Sequence, residues 1–123
     1  MSDAMSSAVS VFGLSVDCGD AAAVASFWSA VLGRPVNLGA TEQDAAIDAT
    51  DPAKGPRLAF HKVPENKSVK NRLHLDLIAA EYDTERERVL RLGATVVNEI
   101  TAGAARWTTL ADVEGNEFDL IAG

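Results

Sequence analysis

Apolar positions change their spacing along this chain in a way that marks one element after another. Val9 to Asp17 alternates loosely and is rich in valine, phenylalanine and leucine, the pattern of a strand. Gly19 and Asp20 end it. Asp20 stands where an N-cap belongs, before a stretch from Ala21 to Leu32 in which Val24, Phe27, Trp28, Val31 and Leu32 recur at intervals of three and four. That spacing predicts one amphipathic helix with Phe27 and Trp28 as packing residues. Gly33 is its C-cap candidate, and Pro35 turns the chain into an extended stretch near Val36 to Leu38. Further strands are expected over Ala45 to Ala49 and Arg57 to Val63, separated by the Asp51-Pro52 and Gly55-Pro56 turns. The first unit therefore reads βαβββ.

The same order then returns. Residues 64–69 form a mostly polar linker containing the last proline of the chain. Arg72 to Ala79 reads as a strand and Glu81 to Leu92 as a half-exposed helix closed by Gly93. Thr95 to Ile100, Trp107 to Ala111 and Glu117 to Ile121 read as three more strands, with turns at Gly103 and Asp112 to Asn116. The wording repeats with the pattern: Leu14-Ser15-Val16-Asp17 is echoed by Leu73-His74-Leu75-Asp76, and Leu-Gly followed by Val36-Asn37 by Leu-Gly followed by Val97-Asn98. The expected fold is α+β, with two tandem βαβββ modules, residues 9–63 and 70–122, sharing one domain over 9–123 behind a tail of residues 1–8.

Composition narrows the partners. At 123 residues with 47% apolar and 24% charged side chains, the chain is that of an ordinary globular domain. A net charge of −7 opposes sequence-independent nucleic-acid binding, which needs a positive field. No apolar run approaches a membrane span, and Met1 to Ser10 lacks the basic and apolar regions of a signal peptide, so the expected location is cytoplasmic. The lone Cys18 excludes an internal disulfide and a multi-thiolate zinc site, and a buried inert thiol is its default role. Neither a nucleophilic serine pattern nor a phosphate-binding glycine loop is present.

With the doubled unit in place, two segments carry a resemblance: Asn71-Arg72-Leu73-His74-Leu75-Asp76-Leu77, opening the second copy, and Asp112-Val113-Glu114-Gly115-Asn116-Glu117-Phe118, before the last strand. Over about residues 9–122 the chain resembles the vicinal oxygen chelate superfamily, and more narrowly its glyoxalase-like branch, whose relatives include bleomycin-resistance proteins and extradiol dioxygenases. The resemblance implies curved sheets enclosing a cleft. In metal-dependent members it implies a divalent ion on His or Glu side chains from the first and last strands of each module, acting as a Lewis acid. Carried onto this sequence, His74 matches the first-strand position of module two and Asp119 the last-strand position. In module one the repeat sets Ser15, or else Gly13 or Leu14, opposite His74, and Ala59 opposite Asp119. None of these is a good ligand; His61, two residues along the same strand face as Ala59, is the available substitute.

Each candidate has a structural alternative. His74 is either a hydrogen-bonded histidine of the fold or a cavity residue, a general acid or base, or a metal ligand. Asp76, on the same strand face, either orients that imidazole or satisfies a turn. Asp119 points away from Phe118 and Leu120, toward cavity or solvent. His61 lies at a strand end beside Lys62 and Pro64, where solvent is the competing environment. Trp107 offers an aromatic face for stacking on a planar ligand, and Phe60 and Arg72 complete the candidate ligand contacts. Lys62, Lys67, Lys70 and Arg72 form a basic cluster that reads either as an anion-capturing rim or as solvated linker charge. The expected function is binding of a small hydrophobic or aromatic molecule in the inter-module cleft, without a complete four-ligand metal site or other cofactor. The alternative is a lyase, isomerase or dioxygenase-type enzyme using His74 and Asp119, with zinc, nickel, manganese or iron. A homodimer is the expected assembly.

Overall fold

The computed structural model describes residues 5–123, so Met1–Ala4 of the expected tail lie outside the described residues. Strand β1 (Gly13–Cys18) leads into helix α1 (Ala21–Leu32), then β2 (Asp44–Ile47), a short 3₁₀ turn (Pro52–Lys54) and β3 (Arg57–Lys62). The second half runs β4 (Asp76–Ala79), α2 (Tyr82–Arg91), β5 (Thr95–Ala102), β6 (Ala105–Ala111) and β7 (Glu117–Ala122). Module one forms a sheet in the order β1-β3-β2, and module two a sheet in the order β4-β7-β6-β5. In each, the first strand lies parallel to the last, the arrangement a right-handed crossover through the module's helix permits.

Helix α1 begins where the sequence sets it: the Asp20 side chain accepts from the N–H of Ala23, and Gly33 ends the helix in the left-handed conformation at φ 65°. Its buried stripe of Val24, Phe27, Trp28 and Val31 packs on Ile47, Leu58 and Phe60 of sheet one and meets Phe118 of sheet two. One hydrophobic core thus runs through both modules. The rings of Trp28 and Phe118 stand 4.8 Å apart at 65°, an edge-on contact that couples the halves beyond simple area burial.

Three details differ from the expected elements: the first strand begins at Gly13 rather than at Val9, with Val9, Val11 and Phe12 exposed before it. The extended stretch Val36–Leu38 does not become a strand, leaving module one as βαββ. Pro35 has no N–H to offer, and Leu38 is fully exposed, so only the Asn37 N–H reaches Ala46 O, at 2.8 Å. The Asn37 side chain takes over the next place by accepting from the N–H of Asp48. In module two the first strand begins at Asp76 rather than at Arg72. The cause is Asn71, whose side-chain amide imitates a peptide: its Oδ1 accepts from Glu117 N at 2.8 Å and its Nδ2 donates to Glu117 O at 3.2 Å. A side chain thereby holds the segment against β7 where a backbone ladder was expected.

Candidate functional site

Alternation along the strands sorts each sheet into two faces. Leu58 and Phe60 turn toward α1, whereas Arg57, Ala59 and His61 turn to the opposite, open face. In module two, Phe118 and Leu120 enter the core, while Glu117, Asp119 and Ile121 join Thr109, Trp107, Asp76 and Ile78 on the open face.

Three of the sequence candidates come together there. Asp76 and Asp119 are direct partners across β4 and β7, and His74 sits just before β4. His74 Nδ1 lies 2.8 Å from Asp76 Oδ1 and 4.0 Å from Asp119 Oδ2. The other oxygen of Asp119 accepts a 2.6 Å hydrogen bond from the Thr109 hydroxyl, which fixes the carboxylate toward the histidine. The imidazole is thus held by one carboxylate at its Nδ1 and overlooked by a second, an arrangement that orients the ring. Thr109 belongs to this site although nothing in its own neighbourhood in the sequence singles it out.

One ligand atom from each of His74, Asp76 and Asp119 lies within 4.8 Å of the others. An imidazole with two carboxylates is a donor set that suits manganese, iron(II), nickel or zinc, and a divalent ion held there would supply Lewis-acid polarisation of a substrate oxygen. His61 is not part of this group. Its Nδ1 lies 2.8 Å from Asp44 Oδ1 on the open face of module one, in a shallow hollow that Arg57 and Ala59 also line. The ladders revise the repeat alignment: Asp17 pairs with His61 as Asp76 pairs with Asp119, so His61 rather than Ala59 is the counterpart of Asp119.

Between the modules lies a cleft of about 490 Å³ with Leu14, Val16, Phe60, Trp28 and Phe118 in its walls. Arg72 and His74 line it too, so three candidate contacts, Phe60, Arg72 and His74, share one cavity. Trp107 does not line it; it sits in a groove with Tyr82, Arg86 and Arg106. Of the basic cluster, Lys62 pairs with Glu42 and Lys67 with Glu117 at 3.3 Å, so these two serve the fold. Cys18 is buried, and that burial, with the Glu114 carboxylate nearby, pushes its thiol up to about 11, the opposite of an activated nucleophile.

The Asp112–Asn116 motif is a clasp. Asp112 Oδ1 accepts from the N–H groups of Glu114 and Asn116 at 2.9 and 3.0 Å, and its Oδ2 accepts from Trp28 Nε1 at 3.1 Å. Glu114 reaches across to accept from the N–H groups of Gly19 and Asp20 at 2.7 and 2.9 Å. The turn before β7 is thereby tied to both ends of the β1–α1 connection.

Paired α/β modules with a cleft between them and a histidine–carboxylate group on the open sheet face define a class of cleft-forming α+β proteins. Residues 13–121 match the family model described as a glyoxalase-like domain, and the chain belongs to that family. The fold is shared with a variant of the fosfomycin resistance protein FosX from Listeria monocytogenes, solved with Mn(II) and a dihydroxypropylphosphonic acid: TM-score 0.74, 15% identity, 93% of this chain and 90% of that one covered. It is shared as well with a glyoxalase/bleomycin resistance protein/dioxygenase family enzyme from Burkholderia phytofirmans, at TM-score 0.71, 16% identity and coverage of 92% and 98%. A hypothetical protein from S. aureus gives TM-score 0.72 at 14% identity, with 95% and 96% covered. Curated protein sequences give no match.

Proposed function

We propose that this glyoxalase-like protein binds a small apolar or aromatic molecule in the cleft between its modules, with His74 as the polar contact. The observation that carries this reading is the cleft of about 490 Å³, walled by Trp28, Phe60, Phe118, Leu14 and Val16. That size falls in the range of small-molecule pockets, and such a lining rewards transfer of a flat apolar body from water. Trp28 is the reporter. A planar aromatic ligand is expected to quench its fluorescence, to do so equally in Trp107→Phe, and to lose the effect in Trp28→Phe. Quenching that vanishes in Trp107→Phe instead would move the site to the groove beside Tyr82 and defeat the proposal.

A second reading, an enzyme of the lyase, isomerase or dioxygenase type, draws support from the convergence of His74, Asp76 and Asp119. In it, the imidazole held by Asp76 takes or gives a proton at the substrate, with Asp119, steadied by Thr109, 4.0 Å from the same ring nitrogen. Elemental analysis after dialysis against zinc, nickel, manganese and iron(II) separates the readings. Near-stoichiometric metal that disappears in a folded His74→Ala variant favours the metal-assisted enzyme; no retained metal favours the binding protein. No helix among the described residues is long and apolar enough to cross a membrane. A cytoplasmic location completes the proposal.

A further inference from the structure

A second space between the modules has a different chemistry. It measures about 630 Å³ and lies between the end of α1, the loop around the 3₁₀ turn, strand β4 and helix α2. Leu32, Leu58, Leu75, Leu77, Val89 and Leu120 give it apolar walls, and Leu58 and Leu75 separate it from the first cleft, which they also line.

Arg34 stands in this wall and is only 6% exposed. A buried guanidinium ordinarily meets a carboxylate, because an uncompensated charge taken out of water is costly. This one meets none among the described residues. Its Nε donates to Asp48 O at 3.2 Å, and its Nη2 to the carbonyls of Asp48 and Pro56, both at 2.8 Å, and of Ile47 at 3.3 Å. These bonds staple the loop before β3. The carboxylate of Asp48, whose carbonyl Arg34 holds, pairs instead with Arg57 at 3.4 Å.

Nη1 is left over, with no hydrogen-bond partner among the described residues. A side chain at position 55 would begin to cover it: a Cβ there would lie 3.8 Å from Nη1, and Gly55 supplies none. Lys54, exposed and in no ion pair among the described residues, lines the same space. Arg88 is already committed, with its guanidinium on Ala30 O, Val31 O and Glu85. Of the charged residues in the lining, Arg34, Lys54 and Arg88 stand against Asp76 and Glu85, an excess of one positive charge.

We propose that this cleft is a binding site for an amphipathic monocarboxylate, with the carboxylate on Arg34 Nη1 and Lys54 and the hydrocarbon body along Leu32, Leu77 and Leu120. One free nitrogen on the guanidinium and a single excess charge match a monoanion; a dianion would meet Asp76 and Glu85 without enough positive charge. The apolar walls require a body that water rejects.

Calorimetric titration with sodium octanoate and with 1-octanol tests it, since the two share a chain and differ in the head. Octanoate is expected to bind about tenfold more tightly than octanol, as one charge-assisted hydrogen bond would produce. Lys54→Glu, at an exposed position whose side chain makes no hydrogen bond or ion pair among the described residues, is expected to weaken octanoate about tenfold and leave octanol unchanged. Arg34→Met should lose the preference for octanoate, provided circular dichroism shows the fold retained. His74→Ala should leave octanoate affinity as it was, which separates this site from the first cleft. Equal binding of both probes, no binding of either, indifference to Lys54→Glu, or loss in His74→Ala would each overturn the proposal.

Discussion

Asp112 joins the two modules through a single side chain. Its buried carboxylate accepts from two backbone N–H groups of its own turn and from the indole of Trp28 in the other module. Removing it strands four donors, the Asn116 side-chain amide among them, and the buried one, the Trp28 indole N–H, alone costs on the order of 1–3 kcal/mol when unsatisfied. Asp112→Ala is therefore expected to lower stability by about 3 kcal/mol in urea unfolding, and Asp112→Asn by less, since the amide keeps one acceptor. Glu117 carries a pH signature. Burial works to raise its pKa, but hydrogen bonds from its own N–H and that of Asn71, with the Lys67 ammonium, outweigh burial and hold the carboxyl below its ordinary value. With the folded value the lower one, the stabilisation is present above the unfolded-chain pKa of about 4.3 and is lost as pH falls through the folded value. Glu117→Gln is expected to unfold at lower urea near neutrality, by about 1 kcal/mol, and to match the parent once Glu117 is protonated in both states. A gap that widens toward acid would refute this.

At the scale of elements, the ends of α1 are set more locally than the ends of the strands. Asp20 and Gly33 bound α1 through chemistry contained in their own side chains, or in the lack of one. Nothing lies within 4 Å of a Cβ built on Gly33, so its role is wholly conformational. Gly33→Ala is expected to cost about 1 kcal/mol of thermal stability with no change in core packing; a neutral substitution would show that α1 ends without needing the left-handed residue. Strand ends depend on what lies alongside. Val36–Leu38 has a strand-like composition but no ladder to join beyond one bond at Asn37, and Arg72–His74 gives up its place in the ladder to the amide of Asn71, the backbone pairing with β7 resuming at Leu75 O. Residues Val9–Phe12 read as part of β1, yet Val9, Val11 and Phe12 are exposed outside it.

For the whole molecule, the open sheet faces set the question of assembly. Ile78, 74% exposed, and Leu73, 77% exposed, lie beside the His74 group, an exposure that a second chain would relieve. The proposed homodimer would draw cavity walls from strands of both chains, and light scattering is expected to give twice the 13.0 kDa chain mass. A monomer mass would overturn it. The glyoxalase-like family and the two-module α+β architecture were legible because the same apolar rhythm and the same Leu-x-x-Asp phrase occur twice. The His74, Asp76 and Asp119 candidates were legible as positions on strand faces; their distances were not, since these depend on pairing between β4 and β7, some forty residues apart.

Local patterning along the chain is enough to say where α1 begins and ends, which strand residues face the core, and that one unit occurs twice. Those features follow from periodicity and capping, which act within a few residues. Packing between distant elements is what makes Thr109 steady Asp119, sets His61 with Asp44 instead of with His74, brings Trp28 to Asp112, and buries Arg34 with a nitrogen to spare. Each of these joins residues from different elements. Their meeting is fixed by how the two sheets and two helices share a core, a property of the packed whole that no short window of sequence contains.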